Sequence, residues 1–379
     1  MHVFTSIAAN YLPKASALAH SVKRLHPEAT FHLVLCDDMP KCGSATMAPF
    51  DSIINVRDLP IANLPSWIFK HRLVELCTAV KGTAFEFIAA RHGAERIYYF
   101  DPDIVVLNPL DGLEQMLNQH SVLLTPHLCA PEVNATAIVE NEINSLKHGV
   151  YNLGFLGVRM SDQGRQFVSW WADRLRHHCY DDIPNGLFTD QRWVDLAPAL
   201  FDDILIVRDP RYNMATWNLT HRRATGRAPY DIQVNGKPLV FYHFSGFDSG
   251  DQKAMLDRYG SHSPVLHELR DWYIARCREL GQSTLSKVDC TYGSFSNGER
   301  ITNAQRLLYR HRNDLMRRFP QPFDASDPRQ SYYHWYHSGA PKGDDQSLLK
   351  RIKTHAPSPA LRLARSARTA WRRWSQPAV

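Results

Sequence analysis

Two carboxylates stand two residues apart where an apolar stretch turns polar, in Phe100-Asp101-Pro102-Asp103 followed by Ile104-Val105-Val106. In a regular strand, side chains at i and i+2 share one face. The proline between them breaks a ladder and suits a turn at a sheet rim. Two acids so placed can converge on one hard divalent cation, with phosphate oxygens and water completing its shell. A departing sugar diphosphate needs such an ion, because it leaves carrying extra negative charge. The bare Asp-x-Asp triplet is equally at home in a solvated surface turn. The apolar runs on both sides favour the metal site, because they fix the pair to a strand end.

The elements that must position this pair alternate. Val3–Ala8 reads as a strand and Leu12–Leu25 has helical spacing; Phe31–Cys36 and Ile53–Val56 are further apolar runs. Ile68–His92 reads as helix with an interruption near Gly82, and Arg96–Phe100 as the strand that delivers Asp101. Val122–Leu124, Tyr151–Val158 and Leu239–His243 look like strands; helices are expected over Gly164–His177, Thr189–Leu200 and Pro264–Leu280. Strand-helix alternation with short connections predicts an α/β fold, a mainly parallel sheet covered by helices. Ligands of such sheets sit at the carboxyl ends of the strands.

The 379 residues suffice for one large catalytic core plus an appendage. We expect a catalytic domain over 1–285, an extension over 286–340 and a linker with a basic tail over 341–379. Of the net charge of +6, eight positive charges lie between Ser347 and Val379 with no acid among them, which leaves the first 346 residues at −2. A near-neutral body argues against a nucleic-acid-binding core and assigns the basicity to a separate tail interaction. Within 361–374, Leu363, Ala364, Ala367, Ala370, Trp371 and Trp374 fall on one helical side and five arginines on the other. That division fits peripheral contact with an anionic membrane surface, where lipid-linked acceptors lie; a solvated basic terminus is the equal alternative. Seven cysteines without a CxxC pair argue against a disulfide framework or thiolate zinc site. The N-terminus reads as a first strand, not a secretory leader, so the expected location is cytoplasmic, on the inner membrane face if the tail binds there.

The stretch Arg96-Ile-Tyr-Tyr-Phe-Asp-Pro-Asp-Ile-Val-Val resembles the YLDxDxxV signature of GT-A-fold glycosyltransferases, especially the retaining family 8 group of glycogenin and bacterial galactosyltransferases. Tyr151-Asn152-Leu153-Gly154-Phe155 is similar to that family's FNxGV strand, Thr189-Asp190-Gln191 to its xDQ helix start, and Tyr242-His243-Phe244-Ser245-Gly246-Phe247 to its HFxG element. The four segments keep the family's order across residues 1–250. The resemblance implies a GT-A fold, a nucleotide-sugar donor (a UDP-sugar), a glycan or lipid-linked acceptor, and transfer with retention.

Carried over position by position, Asp101, Asp103 and His243 would hold Mn²⁺ or Mg²⁺, an imidazole among oxygens tilting toward Mn²⁺. Asn152 and Asp190 would contact sugar hydroxyls, and Gln191 would lie near the anomeric carbon. Glutamine is a poor nucleophile, so a front-face route is the easier expectation. The donor site would also include Gly154 and Gly246. Thr5, Ala8 and Asn10 would lie near base and ribose, Asp37 would touch uracil or ribose, and Lys81 would approach the phosphates. Each has a plainer alternative: a core histidine for His243, an N-terminal acid with Thr189 as its cap for Asp190, an exposed helical lysine for Lys81, and loop residues for the rest. The family's Lys-Pro-Trp after the histidine-glycine pair is replaced by Phe247-Asp248-Ser249-Gly250, which leaves the phosphate contacts without that lysine. Aromatics around Trp335 suit acceptor stacking or, more simply, packing.

Three other classes compete. A haloacid-dehalogenase-like phosphatase would use Asp-x-Asp-x-Val as its nucleophile loop and require a later lysine and paired acids, for which Asp202-Asp203 is the available pair. A nucleotide-sugar-binding protein without turnover would keep the fold, but the intact Asp101, Asp103 and His243 argue against it. A structural or scaffold protein would hold the motifs by coincidence.

Overall fold

The computed structural model describes residues 1–40 and 49–339. The amphipathic tail expected over 361–374 lies outside them. Two compact units are present, one of Met1–Leu64 with His71–Gly293, the other of Pro65–Lys70 with the chain from Ser294 onward. The first unit runs to Gly293.

The first unit is built on β1 (His2–Ile7), β2 (Thr30–Leu35), β3 (Ser52–Asn55), β4 (Arg96–Phe100), β5 (Ile104–Val106), β6 (Val122–Pro126) and β7 (Tyr151–Arg159). Its seven-stranded sheet runs Ile204–Ile206, β6, β7, β4, β1, β2, β3. All pairings are parallel except those of β7, which is antiparallel to both β4 and β6. The mainly parallel α/β sheet expected from the alternation is therefore present. From β1 the chain places β2 on one side and β4 on the other, so the strand order reverses beside the end of β4, where open α/β sheets form their crevices. The strands have apolar residues on both faces, which sheets covered on both sides require.

Outside this sheet, β5 pairs antiparallel with Phe241–His243, while Ala224–Arg227, Asp231–Val234 and Lys237–Pro238 form a small meander. Phe100, Ile104, Val106, Phe155 and Phe241 pack together with Leu18 and Val22 of helix α1 (Leu12–Leu25). The Asp-Pro-Asp turn is thereby clamped between apolar anchors on both sides.

Between residues 68 and 92 the structure differs from the expected interrupted helix. The chain forms Leu64–Phe69, Leu73–Ala79 and Lys81–His92, the last two meeting at Val80. Gly82 does not break the helix; a Cβ there would lie 2.5 Å from the Cα of Ala172, so glycine lets this helix approach Asp162–His178 closely. The helix expected over Thr189–Leu200 is two short turns, Gln191–Val194 and Ala197–Leu200. Thr189 is not its cap: its φ is +44°, and Asp190 occupies the N-cap position.

In the second unit, Phe69 meets Tyr309 and Tyr332 edge-on at 5.0 and 5.4 Å, with Leu308, Leu315 and Phe319 filling around them. Arg306 donates to the Phe69 carbonyl at 3.0 Å and Tyr309 to Ser66 at 2.8 Å. Trp335 stacks on Tyr332 at 5.7 Å, so the aromatic run packs upon itself.

Candidate functional site

Asp101 leaves β4 with its N–H bonded to the Gly154 carbonyl at 2.7 Å, and its own carbonyl accepts from Ile104 at 3.0 Å, closing the turn. The chain then enters β5, whose register sets Ile104 opposite His243, Val105 opposite Tyr242 and Val106 opposite Phe241. That pairing carries His243 to the Asp-Pro-Asp turn. Its Nε2 lies 3.2 Å from Asp103 Oδ1 and 3.8 Å from Asp101 Oδ2. One ligand atom from each of the three residues lies within 4.8 Å of the others, the sole such group of three among the described residues.

The other imidazole nitrogen is also committed. His243 Nδ1 lies 3.3 Å from Asn213 Oδ1, while Asn213 Nδ2 donates to Asn152 Oδ1 at 3.0 Å and to Thr125 Oγ1 at 2.9 Å. With the amide turned this way, Asn213 offers only its oxygen to the histidine, which must carry the proton on Nδ1. Nε2 is then the nitrogen turned toward the carboxylates. Burial lowers the ring's pKa, but the Asp103 and Asp101 charges outweigh it and raise it, so Nε2 donates to Asp103 as it stands and would offer its lone pair to a cation bound there. Gly154 makes room for the ring: a Cβ there would lie 2.4 Å from His243 Cε1. Trp217 meets the His243 ring edge-on at 5.2 Å. Donor set, tautomer and shape all fit a divalent cation. Burial pushes the Asp103 carboxyl up, but the charges of His243 and Lys14 bring it below the usual carboxylate range.

A second charged group supports Asp101 from within the core. Lys81 is buried, with Nζ 2.8 Å from Asp190 Oδ2, 3.4 Å from Asp101 Oδ1 and 3.1 Å from the Leu153 carbonyl. Its ammonium also sits 4.0 Å from the centre of the Tyr99 ring, and the Tyr99 hydroxyl donates to Asp101 at 2.6 Å. Burial alone would lower the lysine's pKa; the Asp101 and Asp190 charges outweigh it and raise it. Its partners leave no free donor aimed outward, and the exposed helical lysine of the plainer expectation is not what forms.

The remaining sequence candidates divide. Asn152 and Asp190 join the same network, Asn152 holding the Gly154 N–H at 3.1 Å and facing His127 Nε2 across 3.2 Å. Burial lowers the His127 pKa to about 4, so its ring is neutral. Gln191 is spanned at both ends, accepting from the Leu153 N–H at 3.0 Å and donating to the His148 carbonyl at 2.8 Å. Asp37 is buried and accepts from the N–H groups of Ala9, Asp38 and Thr291 at 2.8–3.1 Å. Thr5 and Ala8 are buried in and after β1; Thr5 Oγ1 and Asn10 Oδ1 are buried without hydrogen-bond partners. Gly246 has a φ of +75° in the turn after His243, which explains glycine there.

Sequence reasoning missed Asn213, His127 and Trp217. Their signal was faint: single polar or aromatic residues in segments without periodicity. It also missed Lys14. That side chain, in α1, pairs with Asp248, whose Oδ2 also accepts from the Tyr11 hydroxyl at 2.6 Å. Asp248 belongs to the segment that replaces the expected Lys-Pro-Trp.

No family model matches the chain. Among curated proteins it is similar to the uncharacterized proteins YfnF and YfnD of Bacillus subtilis (strain 168). The first is 26% identical over 180 residues, 46% of this chain and 58% of YfnF. The second is 23% identical over 253 residues, 65% of this chain and 78% of YfnD. Solved structures with some likeness include glycosyltransferases. The galactosyltransferase LgtC in complex with donor and acceptor sugar analogs has a TM-score of 0.44 at 16% identity, covering 76% of this chain and 98% of that one. The glycosyltransferase GlyE of Streptococcus pneumoniae TIGR4 has a TM-score of 0.41 at 13% identity, covering 78% of this chain and 66% of that one.

Proposed function

We propose that this chain is a metal-assisted, retaining glycosyltransferase of the GT-A, family 8 type that moves a sugar from a UDP-sugar to a glycan or lipid-linked acceptor. The observation that carries this reading is the meeting of Asp101, Asp103 and His243 at the carboxyl end of β4. Two segments far apart in the sequence, the Asp101-Pro102-Asp103 turn and the strand ending at His243, supply two carboxylates and one imidazole to a single point, in a crevice where α/β sheets bind nucleotides.

Asp101, Asp103 and His243 would hold Mn²⁺ or Mg²⁺, and the ion would supply charge stabilisation for the leaving diphosphate. Lys81 and Tyr99 fix the Asp101 carboxylate so that it need not reorganise during the reaction. Asn213 fixes the His243 tautomer. Asn152 and Asp190, held by this network, present polar edges to the donor sugar. Gln191 braces Leu153 against His148 and contributes by placing the Asn152–Gly154 backbone beside the sugar. Thr5, Ala8, Asn10 and Asp37 shape the end of the crevice at β1 and β2, where the Thr5 and Asn10 side-chain oxygens are buried without hydrogen-bond partners and would answer to base or ribose. Gly154 and Gly246 let backbone and histidine come close.

The phosphatase alternative loses its paired acids. Asp203 lies before the Ile204–Ile206 strand, at the amino end of the sheet, whereas Asp101 follows β4 at the carboxyl end. Its carboxylate is engaged by Ser121 and His120.

The deciding experiment is a nucleotide-sugar panel with Mn²⁺, reading thermal shift and release of the nucleoside diphosphate. Stabilisation and turnover by one donor, both abolished by EDTA and by Asp103→Ala, are expected. Turnover that survives Asp103→Ala with its metal requirement intact overturns the assignment. Retention is tested separately by the anomeric proton of the product in NMR.

A further inference from the structure

Lys14 is a buried cation that no part of the proposed metal site uses. It lies in the first turn of α1, is 1% exposed, and its ammonium sits 4.3 Å from the Tyr11 ring centre and 5.3 Å from that of Phe247. A buried ammonium requires an anion nearby. Its partner is Asp248, whose side chain is 48% exposed. Asp248 sits on the turn between Gly246 and Gly250, two residues with φ near +80°. That turn begins directly after His243, so the segment that supplies the imidazole also supplies the carboxylate on Lys14.

We propose that Lys14 is a diphosphate-binding residue of this site and that Asp248 competes with the diphosphate for it, so that the Phe247–Gly250 turn and the nucleotide exchange places on one ammonium. The inference rests on the nucleotide-sugar reading and extends it. A diphosphate seated against the segment that follows His243 would take the place of the Asp248 carboxylate on Lys14, exchanging one charge-assisted hydrogen bond for another. The arrangement is asymmetric in the way exchange requires. The cation is buried at the first turn of α1, whereas its carboxylate partner is half exposed and can turn out to water at small cost. Tyr11 donates to the same Asp248 oxygen, so it too is freed when the carboxylate leaves. The diphosphate thereby gains a ligand from α1 and loosens the loop behind the histidine in the same step.

The test is calorimetric titration of the full chain with UDP, and separately with inorganic pyrophosphate, both with Mn²⁺. Lys14→Met is expected to weaken both ligands tenfold or more. Asp248→Asn removes the competitor and is expected to tighten both several-fold, and this gain should vanish in the double variant. A tighter-binding variant cannot be explained by misfolding, so Asp248→Asn protects the test if Lys14→Met proves unstable. Unchanged affinity in Lys14→Met, or unchanged or weaker affinity in Asp248→Asn, overturns the inference while leaving the nucleotide-sugar reading in place. Failure of the unaltered chain to bind either ligand overturns both.

Discussion

The Nδ1 of His243 and the Oδ1 of Asn213 lie 3.3 Å apart, and this contact decides which histidine nitrogen faces Asp101 and Asp103. Asn213 is held by donating to Asn152 and Thr125, so its oxygen cannot rotate away without breaking two hydrogen bonds. Asn213→Ala releases the ring. Losses for such outer partners are about 10–100-fold in metal affinity. We expect that loss for Mn²⁺, read by EPR titration, with the far-UV spectrum unchanged. Affinity equal to that of the unaltered chain would show that the tautomer is fixed by other means.

Gly154→Ala places a methyl group 2.4 Å from His243 Cε1 and 2.7 Å from Asn152 Oδ1. Overpacking of this kind costs about 1–3 kcal/mol. Folding should survive with a lowered melting temperature, while Mn²⁺ binding falls because the imidazole is pushed off the carboxylates. Normal metal binding with the same thermal loss would separate the glycine from the site.

Lys81 and Asp190 form a pair whose side chains are 2% and 4% exposed. Removing one partner of a buried pair costs about 3–5 kcal/mol, because the other charge is stranded. Lys81→Met should therefore unfold at much lower denaturant, and Lys81→Met with Asp190→Asn should recover part of the loss. Chemical denaturation of the four-member cycle measures the coupling. Additive losses would mean that the two charges do not sustain each other.

His32 predicts an acid sensitivity remote from the site. It is buried in β2, with Nε2 3.0 Å from His2 Nδ1, and its ring is 4.5 Å from that of His92. Burial first, then the charges of His92 and His2, lower its pKa from 6.5 to about 3. The unfolded chain therefore takes up a proton near pH 6.5 that the folded chain refuses until about pH 3. Stability is highest above the upper value and declines as the pH falls through that window. Thermal melts of His32→Gln between pH 8 and pH 5 should show a shallower decline; an identical slope would assign the sensitivity elsewhere.

Local signals in the sequence located much of this architecture. The apolar run Arg96–Phe100 ending in Asp101 marked a buried strand and its rim, because burial on both faces leaves a continuous apolar record. Helix α1 begins and ends where its spacing places it. Boundaries failed where the reason was tertiary: Gly82 reads as a helix breaker until Ala172 is seen against it, and Thr189 reads as a cap although its backbone is left-handed. Lys81 looked like a surface lysine because nothing nearby in sequence announces Asp190.

The sequence alone determined the alternating α/β plan, the acid pair at the end of β4 and the absence of a basic body. Periodicity records which face of an element is buried, and composition records charge, so both are legible without coordinates. Only the tertiary structure decided that β5 pairs with Phe241–His243 in a register that brings His243 to Asp103, that Asn213 sets its tautomer, and that Lys14 answers to Asp248. These are contacts between distant segments, fixed by strand register and core packing, and neither leaves a periodic trace in the residues it joins.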